Sequence, residues 1–249
     1  QRFGVDQVIC AETADEIWER TAHALTLPEM RPRQVLAAVQ VEKLCTTDDP
    51  TLRLPFHEAA RQEVPSTAVL PTWRPDKLVD PTRSDWRERV LRLGEESGEN
   101  VSVLAGFERA LAATHAYFRR LGAVASDHGF TRIESRFVPR ARAAEIYEAA
   151  WQGRTLSSEE RSDFQVYLLR LFGELDADAG MVMQLHVGAV RDYRRRLWQE
   201  LGPDAGGDIS TQQVDWVGGL HWFLNEFDGP LKIVLYCLDP THLPTVATI

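Results

Sequence analysis

The sequence has no apolar run that approaches the length of a membrane span and no excess of positive charge. A spanning helix needs about 20 consecutive apolar residues, and no stretch of the 249 residues comes near that length. Its 37 Asp and Glu outnumber its 28 Lys and Arg, which gives a net charge of -9. Because binding to nucleic acid requires clustered basic residues, the sequence predicts neither a nucleic-acid partner nor a membrane partner.

Cysteine is scarce. The three residues Cys10, Cys45 and Cys237 are odd in number and far apart. They fit neither a disulfide framework nor a cysteine-based zinc site. A reducing cytoplasm is the predicted compartment. Cys45 and Cys237 lie in apolar, strand-like runs, so we expect both to be small buried residues.

The sequence also lacks the glycine-rich loops that bind nucleotide phosphates, which weakens the case for a doubly wound sheet. What it does contain is five repeats of a strand followed by a helix. The predicted strands lie at about 39–45, 68–70, 123–129, 181–187 and 232–238. Strands that are apolar throughout are buried on both faces, which is typical of a parallel sheet. We therefore predict an α/β fold of the (β/α) barrel type.

Helical periodicity fills the segments around these strands. The predicted helices lie at about 13–25, after residue 54, at 84–122 with a break near 94–100, at 140–176 and at 211–227. Thr13 with Glu16 and Ser157 with Glu160 have the spacing of a capping box. In this motif a hydroxyl accepts from a free backbone N–H while the Glu reaches back. Both helix starts are therefore predicted to be capped.

Each predicted strand ends in polar residues, and this is the end where parallel barrels and sheets place their chemistry. The strand-end residues are Asp48, Asp49, Arg74, Asp76, Asp127, His128, His186 and Asp239. An arginine matches a carboxylate with two hydrogen bonds, and a neutral imidazole binds a metal or donates to a substrate. The pattern indicates an anionic substrate that is handled by polar or metal chemistry.

Each of these residues also has a structural interpretation. Arg74 either binds a substrate carboxylate or forms a salt bridge with Asp76 or another strand-end carboxylate. His186 is a metal ligand, a substrate donor or a core histidine with both nitrogens satisfied. Lys77 either binds substrate or points to solvent. Asp127 either belongs to the site, orients its neighbour His128 or caps a helix.

The remaining polar candidates have mainly structural interpretations. Asp48 and Asp49 are expected to cap the next helix through their side chains. His23, His115 and His221 lie on predicted helices, and structural roles are expected for all three.

Taken together, the motifs resemble those of uronate isomerases, a divergent branch of the amidohydrolase superfamily. The matching stretches are Glu12–Trp18, Cys45–Pro50, Leu70–Lys77, Asp127–Gly129, Met183–Ala189 and Leu235–Pro240. They follow the order of that family along nearly the whole chain. The Arg-Pro-Asp-Lys and Met-Gln-Leu-His runs are specific when they occur together.

The resemblance implies an aldose–ketose isomerase that interconverts D-glucuronate and D-fructuronate, and D-galacturonate and D-tagaturonate, through an enediol. It implies a (β/α)8 TIM barrel of the metal-dependent hydrolase type, with a helical insertion after the first strand. Residues 1–35 would be the end of that insertion. Residues 36–249 would form an incomplete barrel with about strands 2 to 6. A homo-oligomer that acts on a small-molecule uronate is expected.

The resemblance also assigns roles to residues. His186 and Arg74 are the expected catalytic residues, and Arg74, Lys77, Asp127 and His128 are expected to bind the uronate. His186 is the expected ligand of a divalent metal, with zinc as the predicted ion.

The chain departs from the family at several points. The family has a His-x-His pair on its first strand and an Asp on its eighth, and this sequence contains no His-x-His. Asp239 stands where the family has Asn. The chain begins with Gln1 and ends on an apolar run, so we expect an internal fragment that is inactive alone. The alternatives are a lactonase or amidohydrolase of the same superfamily and a non-catalytic truncated barrel.

Overall fold

A computed structural model of the chain describes residues 3–249 and has mixed α/β content. The strands are β1 (Lys43–Cys45), β2 (Ala68–Leu70), β3 (Ala125–Phe130), β4 (Val182–Val187), β5 (Ala189–Val190), β6 (Ile209–Ser210) and β7 (Lys232–Cys237). The helices are α1 (Ala14–Leu25), α2 (Pro32–Ala38), α3 (Pro55–Glu63), α4 (Trp86–Ser97), α5 (Leu104–Arg120), α6 (Arg140–Trp151), α7 (Ser158–Ala179), α8 (Arg195–Leu201), α9 (Trp216–Glu226) and α10 (Leu243–Val246). The predicted strand–helix alternation is therefore present along the chain.

The chain divides into two compact units. The first holds the chain up to Cys45 together with Leu54–Leu70, and the second holds Thr46–Arg53 and Pro71–Ile249. This division does not follow the predicted boundary between residues 35 and 36, because β1, α3 and β2 group with the N-terminal helices.

In the first unit, β1 and β2 pair in parallel, with Cys45 opposite Leu70. The strand predicted over 39–45 begins only at Lys43, because Val39 and Val41 donate their N–H groups to carbonyls of the preceding helix α2, which the sequence analysis missed. Pro32 is the first residue of α2, where proline fits because its missing N–H would have had no partner. Cys45 is exposed, so the prediction of a buried residue there is wrong.

The predicted capping box at the start of α1 does not form. The Thr13 hydroxyl oxygen accepts instead from the Cys10 N–H at 3.1 Å, and the Glu16 carboxylate accepts from Gln7 at 3.2 Å. The helix still begins at Ala14, as predicted. A competing local hydrogen bond has therefore replaced the cap without moving the helix start.

The helix predicted over 140–176 forms as two helices, α6 and α7, and the capping box predicted between them is confirmed. The Ser157 hydroxyl accepts from the Glu160 N–H at 3.1 Å, and the Ser157 N–H donates to the Glu160 carboxylate at 2.9 Å. The break before this cap includes Gly153, whose φ of +79° is a left-handed conformation that glycine adopts without strain.

The second unit contains a parallel sheet with the order β3–β4–β7. Trp73, just beyond β2, forms parallel bridges with Ser126 of β3 and with Asp48. The parallel sheet inferred from the apolar strands is thus confirmed. The register aligns Gly129, His186 and Tyr236 in one row across the three strands.

This sheet has two different faces. Met183, Leu185 and Val187 of β4 are buried, and they belong to the hydrophobic core together with Trp73 and Phe172. Gln184 and His186, the alternate residues of β4, are only half-buried. We call the face that carries Gln184 and His186 the cleft face, and the opposite one the core face. Among residues 3–249, no helix combines the length and the apolar character that crossing a membrane requires.

Candidate functional site

Three side chains predicted from separate strand ends meet on the cleft face. Arg74 follows β2, Asp127 lies in β3 and His186 lies in β4. The Arg74 Nη1 donates to the Asp127 Oδ2 at 3.0 Å, and the His186 Nε2 lies 2.7 Å from the Asp127 Oδ1. The Asp127 side chain is 6% exposed, whereas those of Arg74 and His186 are 28% and 35% exposed. A buried carboxylate therefore joins two groups that solvent and ligands can reach.

The contact between Asp127 and His186 is close but poorly aligned. Although 2.7 Å separates the two atoms, the buried Asp127 Oδ1 has no hydrogen-bond partner of acceptable geometry. A buried carboxylate oxygen without a good donor carries a desolvation cost. The pair consequently suits the binding of a proton or a cation that both atoms would share.

Asp76 fixes the other side of the Arg74 guanidinium. Its Oδ2 accepts from the Arg74 Nε at 2.7 Å and from the Gly129 N–H at 3.0 Å. Burial raises the pKa of Asp76, and the positive charge of Arg74 only partly offsets this. For Arg74, burial acts to lower the pKa, but Asp76 and then Asp127 outweigh it and the pKa is raised. Arg74 therefore keeps its charge, and the predicted alternative of a salt bridge is present in the structure.

Gly129 gives this ion-pair network its space. A Cβ atom at Gly129 would lie 2.9 Å from the Arg74 Nη2 and 2.9 Å from the Asp76 Oδ2, closer than real Cβ contacts. The absence of a side chain at this position lets the guanidinium and its carboxylate partner cover the strand end.

Lys77 lies apart from these three side chains. Its Nζ is 3.5 Å from the Asp49 Oδ2, which also lies 3.4 Å from the Arg89 Nη1. The other oxygen of Asp49 accepts from the backbone and the hydroxyl of Thr51. A uronate contact for Lys77 stays a prediction.

The expectation that Asp48 and Asp49 cap the next helix is wrong. The N-cap residue of α3 is Leu54, and no side chain caps that helix. Asp49 closes a local turn on Thr51, and Asp48 accepts from the Thr46 hydroxyl at 2.6 Å. Turns of this kind compete with helix capping for short carboxylate side chains.

His128 lies on the core face, one residue from Asp127, because successive side chains of a strand point to opposite faces. It is fully buried, and its ring stacks on Phe172 at 5.1 Å. The structure therefore places it away from the cleft where uronate contact was expected. His115, expected to be structural, is also buried.

A buried polar chain connects His128 with two helices. Its Nε2 lies 2.8 Å from the Ser126 hydroxyl, which donates to the Asp176 carboxylate at 2.5 Å, and His115 contacts the same carboxylate at 2.9 Å. Since the one Ser126 hydrogen is directed to Asp176, the His128 Nε2 must carry a hydrogen and donate. The His128 Nδ1 then has a lone pair without a partner among the described residues. We call these four side chains the buried relay.

Acid is expected to weaken the fold through His128. Burial lowers the pKa of His128 to about 4, although Asp176 partly opposes this, while an unfolded histidine titrates near 6.5. Between pH 6.5 and pH 4 the unfolded state binds more protons than the folded state. The free energy of unfolding therefore decreases as the pH falls, by up to about 3 kcal/mol. The melting temperature of His128→Gln should therefore decrease less steeply from pH 6.5 to 4 than that of the parent.

His221→Gln is the matched control for this measurement, because His221 is exposed. The melting temperature of His221→Gln should decrease from pH 6.5 to 4 as steeply as that of the parent protein. An equal acid slope in His128→Gln and the parent would contradict the assignment of a neutral, buried His128.

Two cleft-face residues escaped the sequence analysis. The Tyr236 hydroxyl donates to the Gln184 Oε1 at 2.6 Å, and the Gln184 amide donates to the Ser126 carbonyl at 3.2 Å. The period-two alternation of β4 could have identified Gln184, which lies two residues before His186 and hence on the same face. Tyr236 lies in the matching stretch Leu235–Pro240, but nothing in the sequence singles it out, because it belongs to a row across the sheet that only the strand register defines.

A cavity of about 710 Å³ adjoins this region. Asp76 and Gly129 line it, together with Arg83, Arg132 and Arg161. The three arginines are balanced by Asp76, Asp80 and Glu134, so the lining gives no net preference for a charged ligand. We place the candidate chemistry at Arg74, Asp127 and His186 instead, where charged groups converge on one point.

The chain matches the family model described as glucuronate isomerase over residues 1–249. It is 48% identical over 249 residues to the uronate isomerase of Thermotoga neapolitana, a match that covers 100% of this chain and 55% of that protein. The uronate isomerase of Solibacter usitatus is 34% identical over 249 residues, covering 99% of this chain and 53% of that protein. The chain thus spans about half the length of these relatives.

Solved structures give the same result. The structure superposes on uronate isomerase from Thermotoga maritima with a TM-score of 0.92 at 47% identity, covering 99% of this chain and 54% of that one. The TM-score is 0.88 at 28% identity for glucuronate isomerase from Caulobacter crescentus, covering 97% of this chain and 50% of that one. The resemblance read from the strand-end motifs is confirmed, and the chain belongs to the glucuronate isomerase family.

Proposed function

We propose that this chain supplies part of the active site of an aldose–ketose isomerase that interconverts D-glucuronate with D-fructuronate, and D-galacturonate with D-tagaturonate. The observation that carries the proposal is the convergence of Arg74, Asp127 and His186 on the cleft face of the sheet in a member of this family. Its relatives are named uronate isomerases, which gives no support to the lactonase or amidohydrolase alternative.

Arg74 is the proposed binding residue for the sugar-acid carboxylate. Its Nε and Nη1 already donate to Asp76 and Asp127, while its Nη2 makes no hydrogen bond to the described residues. The two acidic partners hold the guanidinium plane in place, so the remaining N–H groups face the cleft in a fixed orientation. Such preorganised donors bind a carboxylate without a further ordering cost.

The reaction moves a carbonyl to the adjacent carbon, so one proton leaves one carbon and another is added to its neighbour. We assign to the Asp127 and His186 pair the task of holding a proton close to the substrate oxygens. The His186 Nε2, at 2.7 Å from the carboxylate, is placed to exchange that proton with an enediol oxygen.

A divalent metal, with zinc as the expected ion, is part of the proposal. The His186 Nε2 and the poorly partnered Asp127 Oδ1 are suitable donors, and residues 3–249 hold no group of three His, Cys, Asp or Glu side chains arranged around one point. With the ion bound, these two atoms would hold it in place of a proton, and the exchange of a proton with the enediol would fall to another group. Because a catalytic zinc takes three protein ligands, further ligands would come from outside the described residues. When bound, the ion supplies positive charge that stabilises a developing oxyanion.

We also propose that the chain forms part of a (β/α)8 barrel, with β1, β2, β3, β4 and β7 as its second to sixth strands and residues 1–35 as the end of a helical insertion. The support is that the pairs β1–β2, β3–β4 and β4–β7 are all parallel, and that sheet order follows chain order. In a doubly wound sheet the strand order would reverse at a switch point.

The test is an assay of the complete gene product that contains this chain, supplied with a divalent metal and with glucuronate or galacturonate. Formation of the corresponding ketose is expected, and Asp127→Asn should abolish it without lowering the melting temperature by more than a few degrees. Asp178→Asn is the control, since Asp178 is exposed on α7. The absence of ketose from both sugars with the parent protein would refute the proposal.

A further inference from the structure

Tyr236 lies directly beside the candidate catalytic histidine. It is opposite His186 in the β4–β7 register, so both side chains project from the cleft face. Their ring centroids are 4.1 Å apart and their planes differ by 1°. In this stacked arrangement the imidazole cannot turn about its Cβ–Cγ bond without a clash or the loss of the ring contact.

The tyrosine ring is itself held at its far end. Its hydroxyl donates to the Gln184 Oε1 at 2.6 Å, and the Gln184 amide donates to the Ser126 carbonyl at 3.2 Å. This chain of hydrogen bonds crosses from β7 through β4 to β3. The orientation of the Tyr236 ring is therefore set by the strand backbone at one end and by Gln184 at the other.

The plane of the imidazole decides where its nitrogens point. In the observed plane the Nε2 lies 2.7 Å from the Asp127 Oδ1, and a rotation of the ring would separate these atoms. We infer that Tyr236 is a positioning residue, which holds the His186 imidazole in the plane that keeps Nε2 beside the Asp127 Oδ1 on the cleft face. An effect of Tyr236 on kcat rests on the proposed function, whereas its effect on the plane of the His186 ring does not.

A purely structural role for Tyr236 is a poor explanation of this arrangement. Tyr236 is 38% exposed. Its replacement therefore removes less packing than the replacement of a fully buried tyrosine would. Val234 lies two residues earlier on the same strand and face and is 41% exposed. Because Val234 lies opposite Gln184 and not opposite His186 in the β4–β7 register, it provides a matched control.

The experiment compares Tyr236→Leu, Tyr236→Phe and Val234→Ala in the complete gene product. Tyr236→Leu removes the stacked ring and should lower kcat about 10- to 100-fold, the usual effect of losing a residue that orients a reacting or ligating group, while KM changes less. Tyr236→Phe keeps the ring and should restore kcat to within about threefold of the parent. Val234→Ala should match the parent.

Crystal structures of the same variants provide the second readout. The His186 ring should keep its plane in Tyr236→Phe and turn away from Asp127 in Tyr236→Leu. An unchanged plane together with an unchanged kcat in Tyr236→Leu would overturn the inference. If the parent protein forms no ketose, the crystal structures alone decide, so failure of the proposed function and failure of this inference are distinguishable.

Discussion

Arg74→Lys is expected to lower kcat/KM for the uronate by about 100- to 1000-fold, the scale seen when a preorganised donor is lost from an active site. The guanidinium donates through Nε to Asp76 and through Nη1 to Asp127 and still presents Nη2. A lysine has one nitrogen on a flexible stem, so it cannot contact both carboxylates and a substrate in this fork geometry. Steady-state kinetics on the complete gene product with glucuronate measures the effect.

Arg132→Lys is the matched control for Arg74→Lys. Arg132 follows β3 and is exposed, and it makes no contact with Asp127 or His186 among the described ion pairs. Its replacement should leave kcat/KM within about twofold of the parent. A similar loss of kcat/KM in both variants would show that replacing any arginine of this region by lysine lowers activity. That result would contradict a specific role for Arg74.

Asp176→Ala is expected to lower the melting temperature by about 10 °C. Asp176 is fully buried and accepts from Ser126 and His115. Its removal leaves two buried donors unsatisfied, each at a cost of about 1–3 kcal/mol. In a protein of this size each kcal/mol changes the melting temperature by about 2–4 °C. Differential scanning calorimetry of the complete gene product gives the shift.

The control for this variant is two residues along the same helix. Asp178 is exposed, and alanine is a good helix former, so Asp178→Ala should leave the melting temperature within about 2 °C of the parent. A shift of that small size in Asp176→Ala would mean that the buried relay contributes little to stability.

The fold could be predicted wherever local signals and tertiary contacts agree. The strand 181–187 and the cap at Ser157 were found because an apolar run and a capping motif each determine their own structure. The cap at Thr13 failed because the N–H of Cys10, which lies before the helix, donates to the Thr13 hydroxyl oxygen in place of an N–H of the first helical turn. Helix α2 was missed, although Pro32 at its first position is a residue that favours a helix start.

The site was predictable in part. Arg74, Asp127 and His186 were identified because each follows or ends an apolar parallel strand, and such ends meet at one edge of a sheet. His128 was grouped with Asp127 by sequence proximity, yet alternation along β3 turns it into the core. Asp76 was predicted as a strand-end residue and as a partner for Arg74, and the structure shows that contact. Tyr236 was missed because its significance depends on the register of two strands that are far apart in sequence.

Strand β3 carries two networks on alternate residues, since Asp127 and Gly129 serve the cleft face while Ser126 and His128 serve the core. A single inserted or deleted residue in this strand would exchange the two sets, so that a histidine would enter the cleft and a carboxylate would enter the apolar core. The length of this strand is therefore constrained as strongly as the identity of these four residues. Changes of length between members of the family must be absorbed in the loops that flank the strand.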